Sequence, residues 1–308
     1  MSVKGTLLRD SVEKPILVIT TCTSRKRRPI SLSGSALGHD IQKTVELKWL
    51  AMVAKALPAA IASDLYSGRA FALAKRSAAS AKADLAIISA GLGLVLSTER
   101  IPSYDLTLSR GGIRSTVSDN FDEKSWWQAI SASPYSVNLN ELAQGRTSVL
   151  VCLSASYSAF LEDDLEGIAR ISSLRIFGAG LAAVLRPNLR QFVLPYDSRL
   201  DFNFCNGTQM DFAQRSLLHY ITKIKPLKLP CLSRERSAVL AAFEGSPMRS
   251  IAPKRLQLDD DDIRDKIVRL IPIVGKKRSS LLHYLRHNEH IACEQNRFAR
   301  IFNEILHN

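Results

Sequence analysis

Apolar residues occur in this chain at two spacings. Short unbroken runs at 15–20, 85–88, 147–153, 174–177 and 192–194 read as strands covered on both faces. Between them the apolar positions recur at helical spacing. Ile41, Val45, Leu50, Val53 and Leu57 mark one face of a helix over 40–57, and Pro58 ends it. Further helices are expected over 71–82, 121–130, after Ser154 and over 207–224. Trp126 and Trp127 are adjacent and cannot share one helix face, so one is expected in the core and the other partly exposed. Strands alternating with helices predict an α/β domain.

The pattern changes near Pro226–Pro230. An α/β domain over 15–230 is expected, behind a leader of residues 1–14. Residues 231–258 read as a connector with a short helix around Ala238. Beyond it, Asp259, Asp260, Asp261 and Asp262 can open a helix. Apolar spacing then continues over 263–271, 279–287 and 292–306, with a basic turn at Lys276, Lys277 and Arg278. Three short helices, the last carrying Gln295, Asn296, Arg297 and Arg300, fit a helix-turn-helix domain over 259–308. A helical cap packed on the core is the alternative.

Charge narrows the function. The chain has 308 residues and a formal net charge of +13. That excess favours a polyanionic partner, most simply DNA. No apolar run is long enough for a membrane span, and the first residues carry no signal-peptide core. A soluble, cytoplasmic protein is expected. The five cysteines are odd in number, and no pair has the close spacing of a zinc site. No metal and no cofactor is expected.

The stretch 84–107 carries the main candidate site. The run at 85–88 breaks at Ser89, Ala90, Gly91 and Gly93, and small residues there let another molecule approach the backbone. Tyr104 and Asp105 follow on a loop after Pro102. In open α/β sheets, ligands bind where the carboxyl ends of strands meet their loops. The first strand likewise runs into Thr21, Cys22, Thr23 and Ser24, then Arg25, Lys26, Arg27 and Arg28. Hydroxyls, backbone amides and cations there suit a phosphate or a base edge. Cys22 has no histidine nearby in sequence to activate it and reads as a packed side chain. Tyr66, Ser154, Arg110 and Arg114 are further contact candidates, and Asp197 follows the run at 192–194.

These segments resemble a signature of phage- and bacteria-associated proteins grouped with the peroxide-stress YaaA-like family. Its pattern is a hydroxyl loop with a following lysine, here Thr21 to Lys26. Asp64-Leu65-Tyr66 comes next, then Ser89-Ala90-Gly91-Leu92-Gly93-Leu94, then Tyr104-Asp105-Leu106-Thr107. The wider group is similar to the uracil-DNA-glycosylase-like fold, which implies a three-layer sandwich with a central, mostly parallel sheet. The resemblance also implies action on bases in DNA, with antiphage glycosylases that remove modified bases as the comparison.

On that reading the target nucleotide leaves the stack, and a carboxylate stabilises positive charge on the sugar or activates water. Asp105 is the first choice and Asp197 the second. Tyr104 or Tyr66 would stack on the flipped base. Thr21, Cys22, Thr23, Ser24, Ser89, Gly91 and Ser154 would line the substrate. Lys26, Arg27, Arg110, Arg114, Lys276, Lys277, Arg278 and Arg297 would hold the DNA. Two alternatives stay open: a non-enzymatic DNA-binding protein, and a transferase acting on free nucleosides or nucleotides. A Walker-type phosphate loop is absent.

Overall fold

The computed structural model describes residues 16–107, 112–224, 231–248 and 255–307. The expected leader, residues 1–14, lies outside them. The chain divides into two compact units, Met1–Met248 and Arg249–Asn308.

The first unit is built on a five-stranded sheet. Its strands are β1 (Leu17–Thr21), β2 (Asp84–Ser89), β3 (Gly93–Leu96), β4 (Ser148–Cys152) and β5 (Ser173–Phe177), in the spatial order β3-β2-β1-β4-β5. β1 runs parallel to β2 and β4, and β5 runs parallel to β4. Only β3 is antiparallel, folded back on β2 through a tight turn that places Gly93 at φ 78°. The sequence pattern did not predict β3, because its glycines read as a break. The expected strand at 192–194 shrinks to a single bridge between Ile176 and Val193.

Alternation along β1 assigns the two faces of the sheet. Leu17 and Ile19 enter one core with Trp49, Val53, Trp126, Leu161 and Leu165. Val18 points the other way, into a core with Ala74, Ala78, Leu217 and Tyr220. The first core draws on α1 (Gln42–Lys55), α3 (Glu123–Ser131) and α4 (Ala155–Ile171). The second draws on α2 (Arg69–Ala81), α5 (Phe212–His219) and α6 (Leu232–Ala241). The central sheet thus lies between helices on both faces, as an α/β sandwich.

Both tryptophans of α3 are buried, against the expectation that one would be partly exposed. The helix packs against α1 on one side and α4 on the other. Trp126 donates to the Ala90 carbonyl, while Trp127 lies parallel to Phe160 and donates to Asp164. The segment read as a connector also contributes to this unit. Val239 and Phe243 are fully buried, and Glu235 pairs with Arg175 of β5 inside the protein.

The two edges of the sheet are closed by loops. On β3 the Leu94 amide donates to Ser136 Oγ, and its carbonyl accepts from the Val137 amide. On β5 the Ile176 amide donates to the Phe192 carbonyl, and its own carbonyl accepts from Leu194.

The second unit packs α7 (Asp260–Val274), α8 (Arg278–His287) and α9 (Gln295–His307) around Ile263, Ile267, Leu281, Leu285, Phe298 and Ile301. Asp259 caps α7 by accepting from the Asp262 amide, the role its acidic run suggested. Leu256–Gln257 pairs in parallel with Ile291–Ala292. Among the described residues, no helix is long and apolar enough to cross a membrane.

Candidate functional site

β1 has β2 on one side and β4 on the other. The chain reaches β2 through α2, on one face of the sheet, and leaves β4 into α4, on the opposite face. The carboxyl ends of β1 and β4 therefore bound a topological switch point, the place where open α/β sheets leave a crevice. Cys22 follows β1 there, its amide donating to the Ile88 carbonyl at 2.8 Å. Its Sγ lies 3.4 Å from the hydroxyl of Tyr157, in the first turn of α4. Ser154 stands at the N-cap of α4 but does not cap it; its Oγ meets Ser156 Oγ at 2.9 Å.

The loop after β1 is fastened to residues 65–67. Thr23 Oγ1 donates to the Ser67 carbonyl at 2.8 Å, and the Arg27 amide to the Leu65 carbonyl at 2.9 Å. This leaves Ser24, Arg25, Arg27 and Arg28 exposed, and the three arginines form no ion pair among the described residues. Thr21, the last residue of β1, is half-buried.

Lys26 turns inward instead. Its Nζ lies 4.1 Å from the centre of the Tyr104 ring and 5.8 Å from that of Tyr66. Burial pushes its ammonium below the usual lysine range, with Cys22 and Asp105 opposing that shift.

A hydroxyl chain lies behind it. Ser89 Oγ accepts from the Leu92 amide at 2.9 Å and the Gly91 amide at 3.3 Å, so its own proton goes to the Tyr104 hydroxyl at 2.6 Å. The Tyr104 hydroxyl in turn meets that of Tyr66 at 2.9 Å. Burial pushes both phenols up.

This packing corrects two expected roles. Tyr104 and Tyr66 are 0% and 1% exposed, so in this conformation neither ring offers a face to a flipped base. Gly91 is small because Trp49 presses on it, not to admit a ligand. A Cβ there would sit 2.8 Å from the indole, whose N–H donates to the Gly91 carbonyl at 2.6 Å.

The two candidate carboxylates are far apart. Asp105 is exposed, one residue beyond the anchored Tyr104, and forms no ion pair among the described residues. It is near enough to Lys26 to act on its charge. Asp197 follows the Val193 bridge at the far edge of the sheet, about four strand spacings or ~19 Å from β2. Arg199 grips it with a fork of hydrogen bonds at 2.7–3.1 Å, which holds its carboxyl below the usual range. That pairing suits a structural carboxylate.

The expected DNA-binding cations also divide. Arg27, Lys276, Lys277 and Arg278 are exposed. Arg114 is paired with Glu123, and Arg297 with Asp260 and the Leu258 carbonyl, so both are already engaged. Arg110 lies outside the described residues. Sequence reasoning missed Tyr157 and Trp49, whose only signal was an aromatic facing a strand end. Among the described residues, no three His, Cys, Asp or Glu side chains converge as metal ligands. No family model, curated protein or solved structure matches this chain.

Proposed function

We propose that this protein is a DNA glycosylase of the uracil-DNA-glycosylase-like type, which extrudes a modified base and hydrolyses its N-glycosidic bond. One observation carries the reading. An exposed carboxylate, Asp105, follows a fully buried anchor beside a loop that presents three exposed arginines, and none of the four forms an ion pair among the described residues. The arginines suit a DNA backbone. Asp105 suits the sugar, where bond breaking builds positive charge and water must be oriented.

The anchor supplies the order that such a carboxylate needs. Tyr104 is locked by Ser89 and Tyr66, so the neighbouring Asp105 backbone is set by the core rather than by a free loop. The exposed turn Lys276, Lys277 and Arg278 of the second unit offers a further phosphate contact. Five free cysteines, Cys22, Cys152, Cys205, Cys231 and Cys293, suit a reducing cytoplasm.

The test is base release. Plain, uracil-containing, hydroxymethylated and glucosylated DNA are incubated with the protein, and free base and alkali-labile sites are measured. Release from one DNA type, lost in Asp105→Asn, supports the proposal. Absence of release from all four, with salt-sensitive binding kept in the variant, moves the reading to a non-enzymatic DNA-binding protein.

A further inference from the structure

Lys26 differs from the ion-paired lysines among the described residues. Lys43, Lys48, Lys75, Lys124 and Lys266 each meet a carboxylate, with side chains 40–74% exposed. Lys26 is half-buried and has no carboxylate within ion-pair range among the described residues. Its surroundings are two tyrosine rings and one long hydrogen bond, 3.4 Å, to the Thr23 carbonyl. Aromatic faces hold an ammonium more weakly than a carboxylate does, and they tolerate the neutral amine. A desolvated lysine outside any close ion pair is nearer the neutral form in which the amine attacks carbonyl carbon. Burial moves this amine in that direction.

Lys26 lies over the ring of Tyr104, the residue before Asp105, and the Asp105 charge reaches it. We propose that Lys26 forms an imine with C1′ of the deoxyribose at an abasic site, so that the protein cleaves the strand after the base has left. The inference rests on the base-excision reading. The neutral amine donates its electron pair to C1′ of the ring-opened aldehyde, and the carbonyl oxygen takes a proton. The resulting carbinolamine loses water to give the protonated imine. A base, for which Asp105 is placed, removes a proton from C2′. Those electrons form the new carbon–carbon double bond, and the C3′–O bond breaks with the phosphate leaving as an anion. Water then hydrolyses the imine and returns the lysine. No oxidant or reductant is consumed.

The experiment uses the full chain and a duplex oligonucleotide with one pre-formed abasic site, with sodium borohydride present and sodium chloride as control. Borohydride reduces the imine to a stable amine, so a covalent protein–DNA band is expected. Digestion with a protease that does not cut at basic residues should map the added mass to the peptide holding Lys26. Lys26→Arg keeps the charge and should lower the adduct by at least about tenfold, because arginine cannot form the imine. No adduct, or an adduct mapped to other lysines and unchanged in Lys26→Arg, overturns the proposal. Mapping on the native sequence makes the result independent of how the variant folds. The substrate has already lost its base, so base release without an adduct rejects the lysine step alone. An adduct without base release from any DNA rejects the excision reading instead.

Discussion

The Ser89 hydroxyl lies 2.6 Å from that of Tyr104, and both residues are fully buried. This hydrogen bond joins the carboxyl end of β2 to the residue before Asp105, so a core bond anchors the backbone from which an exposed carboxylate projects. Tyr104→Phe removes the middle of the hydroxyl chain and leaves Ser89 and Tyr66 without it. The expected cost is about 1–3 kcal/mol, the penalty of stranding buried polar groups. Urea unfolding measures it; an unchanged midpoint would mean that the chain adds nothing to stability.

Asp105 and Asp197 should separate cleanly under the same change. Asp105→Asn removes an exposed carboxylate that forms no ion pair among the described residues. It should lower base release by about 100-fold or more, the usual contribution of a positioned acid or base, with little change in melting temperature. Asp197→Asn breaks the fork to Arg199 and should cost about 1 kcal/mol of stability. Base release by that variant should stay within a fewfold of the parent. The reverse pattern would transfer the chemistry to the far edge of the sheet.

The exposed arginines have a salt signature. Replacing Arg25, Arg27 and Arg28 with alanine should weaken binding to all duplex sequences alike. The slope of log K against log salt should become shallower by about 0.9 for every phosphate that an arginine no longer neutralises. Titrations at several salt concentrations give this slope directly. A variant that keeps the parent slope would place the DNA elsewhere.

Gly91→Ala tests whether that glycine serves packing. The new methyl would lie 2.8 Å from the Trp49 ring and push against its hydrogen bond to the backbone. Overpacking of this kind costs about 1–3 kcal/mol. Thermal melts should show the destabilisation, while the variant compared at a temperature where it is folded should still bind DNA.

Much of this fold was legible because its signals were local. The buried runs of β1, β2, β4 and β5 are short and apolar, and the helical spacing of α7 is regular; α1 forms where expected, but Ile41 and Leu57 of its expected apolar face lie exposed and Trp49 is buried instead. The antiparallel β3 was hidden because Gly93 serves both as the turn residue, at φ 78°, and as the first residue of a strand. The candidate site was legible in part. Thr21–Lys26 and Tyr104–Asp105 were marked by their place at strand ends, and the structure places Lys26 over the Tyr104 ring. What the sequence could not reveal was direction. Tyr66 and Tyr104 turn inward as anchors because three hydroxyls satisfy one another there, in a chain spanning residues 66, 89 and 104. Asp197 resembled Asp105 by its preceding tyrosine, yet Arg199 two residues on claims it.

His219 gives a pH dependence unrelated to the site. It is buried among Tyr196, Phe204 and Phe243, and its Nδ1 meets the Tyr196 hydroxyl at 3.1 Å. Burial, aided by Lys223, pushes it down to about 4. In the unfolded chain it takes a proton near pH ~6.5. The unfolded state therefore binds the proton first, and stability falls as pH drops from about 6.5 to about 4. Melting temperatures across that range should decline, and His219→Gln should flatten the decline.

The two closed edges of the sheet decide how copies of this protein can meet. A bare edge offers unpaired amides and carbonyls to any passing strand, which is a common route to runaway assembly. Here Leu94 and Ile176 have both backbone groups already taken by their own loops. Sideways growth of the sheet from one molecule into the next is closed at these positions, and crowding would not turn neighbouring copies into a fibre through them.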